Sequence, residues 1–282
     1  MRKVQRKNPG ITRNIETVVM ATKAIHPKRE IEPSFVPVAQ AIFLSCSIDR
    51  RCKSFKRRGC VGSGMTHLFG IQGEQKTFEI GGVKVGGQPG VNPTVLIGSI
   101  FYRGHRIVKD ETRGTFDRGK AEDLINRQDE LVDETGNPCM IDVVGVSEEA
   151  LRNYIDFVSA STDAPILMDG GTAANNIAGL QYVKESGLID RIVYNSLVPD
   201  CRQAEIEKIK EVGLGSAVLL AMNTKDFTAR GRVTAIDDLL RKTDGAGIEK
   251  PLLDTCVLDM PTLGQACQAI VELKSKYGLP AG

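Results

Sequence analysis

Residues 191 to 197 read RIVYNSL, a short apolar run, Ile192-Val193-Tyr194, that ends on the amide of Asn195. A buried strand gains most from apolar side chains, and a buried amide without a partner costs about 1 to 3 kcal/mol, so a polar residue at the end of such a run needs a reason. Reading outward, the arrangement recurs in CMIDVVG at 139 to 145, PILMDGG at 165 to 171, SAVLLAMN at 216 to 223 and KPLLDTCV at 250 to 257. Asp142, Asp169, Asn195, Asn223 and Asp254 thus stand at or near the ends of five successive apolar runs.

Helical patterns lie between them. Ala121, Leu124, Ile125, Leu131 and Val132 mark a helix near 118 to 134. Ser147 and Glu148-Glu149 open another near 147 to 160, with Leu151, Tyr154, Ile155 and Val158 on one face. Similar patterns fall near 173 to 186, 202 to 212, 234 to 242 and 263 to 276. Upstream, TFEIGGVKVGG alternates on both sides of Gly81-Gly82, the two-residue turn signal of a β-hairpin, and TVLIGSIFY at 94 to 102 supplies the first apolar strand. The order is βα six times, with the start of a seventh strand at GLPAG.

Such alternation specifies a parallel sheet with helices outside, as a doubly wound open sheet or a (β/α)₈ barrel of the TIM type. The stretch SIFYRGHRIVKD is not a GxGxxG turn leading into a helix, which a dinucleotide-binding sheet would show after its first strand. The barrel is favoured, and in a barrel the polar strand ends converge on one mouth.

The chain of 282 residues, 41% hydrophobic and 26% charged, has room for one such barrel of about 200 to 250 residues. Its net charge of +2 hides an uneven distribution: residues 1–64 hold 14 Lys and Arg against 4 Asp and Glu, and the remainder holds 23 against 31. The stretch DRRCKSFKRRGC is a solvated charge run. Residues 1–64 read as an unstructured basic extension or a mis-assigned start with Met65 as a candidate first residue, and residues 65–282 as the barrel. A nucleic-acid-binding arm is the sharper alternative, but no aromatic platform or binding module accompanies the charge. Phe35 to Ile48, interrupted by Pro37 and Gln40, is too short to cross a bilayer. Seven cysteines at irregular spacing with no CxxC pair indicate neither a disulfide framework nor a zinc site, and a reducing cytoplasm fits best.

A single Asp after a strand is commonly the N-cap of the next helix, and Asp142 alone could be either cap or site. Five in succession are harder to read as caps, because Asn195 and Asp254 are each followed by several residues before a helix can begin. Carboxylates and amides at one mouth suit a flat heterocycle with several N–H groups, since a carboxylate accepts from an amino group and an adjacent ring N–H together. A phosphate would be repelled. A hard cation would need several oxygens converging on one point, and His26, His67 and His105 do not sit at ligand spacing, so no metal is expected.

The stretches GGVKVGGQPGVNPTVLIGSIFYRGHRIVKDETRGTFDR, DETGNPCMIDVVG, APILMDGG, DRIVYNSL, AVLLAMN and PLLDTCV carry a family resemblance. From about Phe69 to Gly282 the chain resembles the H subunit of tetrahydromethanopterin S-methyltransferase and its bacterial relatives, which pass methyl groups between a corrinoid protein and tetrahydrofolate. That family is similar to the pterin-binding methyltransferases and dihydropteroate synthases, which are (β/α)₈ barrels. There an Asp on the third strand, an Asn on the fourth and an Asp on the sixth hold the pterin ring, positions that match Asp169, Asn195 and Asp254.

The resemblance implies methyl transfer between nitrogen-5 of a methylated tetrahydropterin, tetrahydromethanopterin or tetrahydrofolate, and the cobalt of a corrinoid carried by a partner protein. Asp169 and Asp254 would anchor the pyrimidine edge and orient the methyl, and Asn195 would stabilise charge developing at nitrogen-5; Asn195 and Asp254 are the residues implied in the chemistry. Asn223 and Asp142 are further candidates for pterin contact. The nucleophile belongs to the partner, so no activated side chain is required, and Cys256 reads as a packing residue whose acidic neighbours disfavour a thiolate.

A dihydropteroate-synthase-like condensation and a catalytically impaired subunit that keeps the barrel are the alternatives. The expected setting is the cytoplasm, peripheral to a membrane complex, with a homodimer or other complex subunits as partners. The family continues beyond the GLP segment into further strand and helix, so a barrel lacking its last strand is expected here, with exposed sheet edges.

Overall fold

The computed structural model describes Ile71 and residues 73–282. The basic segment 1–64 and the boundary at Met65 lie outside the described residues.

The first elements are strands β1 (Thr77–Ile80) and β2 (Val83–Gly86), paired antiparallel with Ile80 opposite Val83 across Gly81-Gly82. Both glycines have positive φ, 50° and 81°, as the tight turn requires. Strand β3 (Leu96–Ile100) begins the main sheet. A hairpin absent from the sequence reading follows, β4 (Val108–Asp110) and β5 (Thr115–Phe116), before helix α1 (Arg118–Thr135). These strands are too short to show a period of two.

The chain then alternates: β6 (Cys139–Val144), α2 (Glu148–Ser161), β7 (Ile166–Asp169), α3 (Ala173–Ser186), β8 (Ile192–Leu197), α4 (Gln203–Val212), β9 (Ser216–Leu220), α5 (Ala229–Lys242), β10 (Lys250–Asp254) and α6 (Leu263–Tyr277). Side chains cap these helices: Ser147, as expected, and also Asp117, Thr172 and Thr228 accept from the backbone N–H three residues on. Helix α5 begins five residues before its apolar stripe becomes legible, because its first turn packs through Ala229, Gly231 and Arg232.

The main sheet is parallel, in the order β10-β9-β8-β7-β6-β3. Each strand lies beside its sequence neighbour among the βα units, with no reversal of the kind that defines a doubly wound sheet. Past α6, Ala281 forms a parallel bridge to Leu253 of β10, where the seventh strand was expected to start.

The period of two sorts the strand residues onto two faces. One face, with Ile141, Val143, Ile166, Met168, Ile192, Ala217 and Leu219, packs against the helices. The other presents one apolar residue from each of the six strands, Ile97, Met140, Leu167, Val193, Val218 and Leu252, in a second buried cluster with Ile80, Val85 and Val95. The β1–β2 hairpin fills this side at the N-terminal ends of the strands, where Lys250 Nζ donates to Glu79 O at 2.7 Å. The sheet is thus a curled half-barrel with helices outside and an apolar floor inside.

Candidate active site

Two residues beyond the apolar floor, on the same concave face, the six strands carry Ser99, Asp142, Asp169, Asn195, Leu220 and Asp254. Five of the six are polar. The apolar runs of the sequence therefore end on polar residues for a positional reason: these are the second inward positions, at the C-terminal ends of the strands.

The curl shows directly in their contacts. Asn195 on β8 and Asp142 on β6 are separated by β7, so in a flat sheet their strands would lie about 9 to 10 Å apart. Asn195 Nδ2 nevertheless donates to Asp142 Oδ1 at 3.0 Å, because curvature brings inward-facing side chains of second-neighbour strands together. From the other side Ser99 Oγ donates to Asp142 Oδ2 at 2.6 Å; Ser99 and Asp142 are register partners on β3 and β6. Asp142, 1% exposed, thus accepts at both oxygens and caps no helix.

Burial raises the Asp142 carboxyl to about 7, and the neighbouring Asp169 carboxylate pushes it the same way, while the bonds from Ser99 and Asn195 pull it down. Burial also raises Asp169 and Asp254, each against one backbone hydrogen bond. Those bonds are alike. Asp169 Oδ1 accepts from Gly171 N at 2.8 Å and Asp254 Oδ1 from Cys256 N at 2.8 Å. Each carboxylate has one oxygen pinned by the turn that follows its strand, and the second oxygen has no hydrogen bond among the described residues.

The turn after Asp169 is held by Asn176 of α3, whose Oδ1 accepts from Gly170 N at 2.6 Å. Gly170 is needed there, since a Cβ would stand 2.7 Å from that oxygen. On β8 the pairing with β9 slips by one residue between Tyr194 and Leu197, so that both side chains face the helices although a regular strand would set them on opposite faces. Asn195 lies in this irregular stretch, and its peptide bond to Ser196 is cis.

Asn223 is placed differently. Strand β9 ends at Leu220, and Asn223 lies in the loop beyond it, where Oδ1 accepts from Lys225 N and Asp226 N and Nδ2 donates to Gly231 O at 3.1 Å. Its amide is engaged by the turn into α5, whereas Asp142 and Asn195 are joined directly.

Cys256 is buried, and its thiol is raised to about 11 by burial and then by Asp254. Among the described residues no group of three or more His, Cys, Asp and Glu is arranged to hold a metal, and no helix is long and apolar enough to cross a membrane.

Sequence reasoning missed Ser99 and Arg232. Ser99 is the one hydroxyl between the apolar residues of VLIGSIF, a signal that means something only once the register against Asp142 is known. Arg232 looks like an ordinary surface cation in a helical pattern, yet it is 1% exposed.

Residues 73–282 match the family model described as the tetrahydromethanopterin S-methyltransferase MtrH subunit. The H subunit of tetrahydromethanopterin S-methyltransferase from Methanopyrus kandleri is 45% identical over 219 residues, covering 74% of this chain and 68% of that protein. Its counterpart of the same name in Methanothermobacter thermautotrophicus is 40% identical over 224 residues, covering 76% and 72%. The H subunit of a putative methyltransferase named mtx, from Methanosarcina barkeri, is 40% identical over 226 residues, again covering 76% and 72%. With family model and relatives in agreement over most of its length, the chain belongs to the MtrH family of tetrahydromethanopterin S-methyltransferase subunits, a methyltransferase family.

Proposed function

We propose that this protein transfers a methyl group between nitrogen-5 of a methylated tetrahydropterin and the cobalt of a corrinoid held by a partner protein. The observation that carries the reading is the concave polar layer: Asp169, Asn195 and Asp254 occupy equivalent inward positions at the ends of β7, β8 and β10, above an apolar floor. The sequential strand order and the curl support a fold of the TIM-barrel type.

The residues fit a pterin. Asp169 and Asp254 each keep one oxygen for a ligand, and a flat ring with an amino group and an adjacent N–H supplies the donors that two desolvated carboxylates lack. Between them Asn195 has one N–H committed to Asp142, which fixes the amide plane and leaves its second N–H and its oxygen for nitrogen-5. An amide held in place stabilises charge as it develops there without reorganising. Asp142 stands behind Asn195 as a carboxyl that is half protonated near neutrality, so the Asn195 amide rests against a group able to accept or release a proton. The corrinoid, when its carrier protein docks, supplies the nucleophilic metal centre, and this chain binds and aligns the methyl donor.

Tetrahydromethanopterin is the first choice because the relatives carry it in their names. Tetrahydrofolate shares the pyrimidine edge that the two Asp residues would read. A cytoplasmic location, peripheral to a membrane complex, goes with this reading. Titration of the protein with methyltetrahydromethanopterin and with methyltetrahydrofolate identifies the donor, and methyl transfer to free cob(I)alamin measures the activity. Wild-type turnover in both Asp254→Ala and Asn195→Ala would overturn the site.

A further inference from the structure

We infer that Arg232 is a positioning residue for the Asp254 carboxylate. This inference rests on the reading of Asp254 as a pterin ligand.

Arg232 lies in the first turn of α5, and only 1% of its surface is exposed. It forms no ion pair among the described residues, although the Asp226 carboxylate lies near enough to feel its charge, and it sits at the helix end whose dipole is positive, which disfavours a cation. Its guanidinium is instead directed at one segment. Nε donates to Thr255 O at 2.7 Å and one terminal amino group donates to Cys256 O at 3.0 Å, with a longer bond of 3.5 Å from the other to Thr228 O.

Thr255 and Cys256 are the two residues immediately after Asp254. Cys256 N–H is the donor that pins Asp254 Oδ1, and Cys256 adopts φ 59°, a left-handed conformation that a residue with a side chain rarely holds unaided. The guanidinium fork fixes both carbonyls of this turn, and through the turn it fixes the direction of the N–H that orients the carboxylate. The α5 side is equally constrained. Gly231 O accepts from Asn223, and a Cβ on Gly231 would stand 2.1 Å from Asp226 O, so the helix start cannot drift from the turn that seats it. A lysine would keep the charge but could not make the two parallel bonds.

The test is a double-mutant cycle in the full chain. Arg232→Lys and Arg232→Gln are each made in the native and in the Asp254→Ala background, and each protein is titrated with whichever methyltetrahydropterin binds the native chain more tightly. In the native background both Arg232 variants are expected to weaken binding about tenfold, the scale of one misdirected charge-assisted hydrogen bond. In the Asp254→Ala background they are expected to weaken it no further. Melting temperatures report the fold, and Arg232→Lys, which keeps the buried charge, sustains the test if Arg232→Gln fails to fold. Equal weakening in both backgrounds, or native affinity in the Arg232 variants, overturns the inference and leaves the pterin reading intact. Native affinity in Asp254→Ala alone overturns both.

Discussion

The amide of Asn195 meets the carboxylate of Asp142 across an intervening strand, Nδ2 to Oδ1 at 3.0 Å. This contact ties the fold to the proposed chemistry, since it exists only because the sheet curls, and it holds in one orientation the amide that we propose faces nitrogen-5. It also means that the protonation of Asp142 and the placement of Asn195 cannot be varied independently.

The first consequence is a dependence of stability on pH. The Asp142 carboxyl is raised from its ordinary 3.8 to about 7, so between those values the folded chain holds a proton that the unfolded chain has released. The contribution of this group is therefore greatest below the unfolded value and is lost as pH rises through about 7, by on the order of 4 kcal/mol. Asp169 and Asp254, also raised by burial, act in the same direction. Urea denaturation from pH 4 to 8 should show declining stability, and Asp142→Asn should flatten the decline without abolishing it. An unchanged slope in that variant would show that Asp142 is not the titrating group.

Ser99→Ala removes the donor to Asp142 Oδ2. Because that bond holds the carboxyl down, its loss should move the Asp142-linked step to higher pH. It should also cost about 1 to 3 kcal/mol where the carboxylate is ionised, with a smaller loss at pH 5. Comparing the denaturation midpoints of the variant and the native chain at pH 5 and pH 8 checks both signs.

Asn195→Ala should lower methyl transfer to cob(I)alamin by about 100-fold, the usual scale for one preorganised donor at a developing charge, with a smaller effect on pterin affinity. Asn195→Asp should do worse at pH 8 than at pH 6, because it sets a second carboxylate against Asp142 and the pair cannot ionise without repulsion. Saturation kinetics at the two pH values separate these effects, and equal losses at both would count against the Asn195–Asp142 coupling.

Cys256, adjacent to the turn that holds Asp254, should be a poor nucleophile, since its thiol is raised to about 11. Alkylation at pH 8 followed by peptide mass spectrometry should find the partly exposed Cys267 labelled well before Cys256. Cys256→Ser should retain methyl transfer within about twofold, as a packing role with no thiolate chemistry predicts.

The order of elements and the α/β class were already present in the linear chain. Apolar runs and helical stripes are local patterns, set by which face of each element must leave water, and so the β1–β2 hairpin, the six βα units and the bridge at Ala281 were legible without coordinates. The same local reading showed that RIVYNSL, PILMDGG and KPLLDTCV end on or near hydrogen-bonding groups. The β4–β5 hairpin was not legible, because strands of three and two residues carry no period.

Which polar residues share a surface was settled by the folded chain as a whole. Asn195 and Asp142 lie 53 positions apart and meet through curvature, a property of the entire sheet that no local pattern encodes. Ser99 became informative through its register against Asp142, and Asn223, alike in sequence to the others, is drawn into a turn because β9 ends three residues before it. Arg232 shows the same limit. A guanidinium is written in the sequence as a soluble charge, and only the packing of α5 against the end of β10 turns it into a buried clamp.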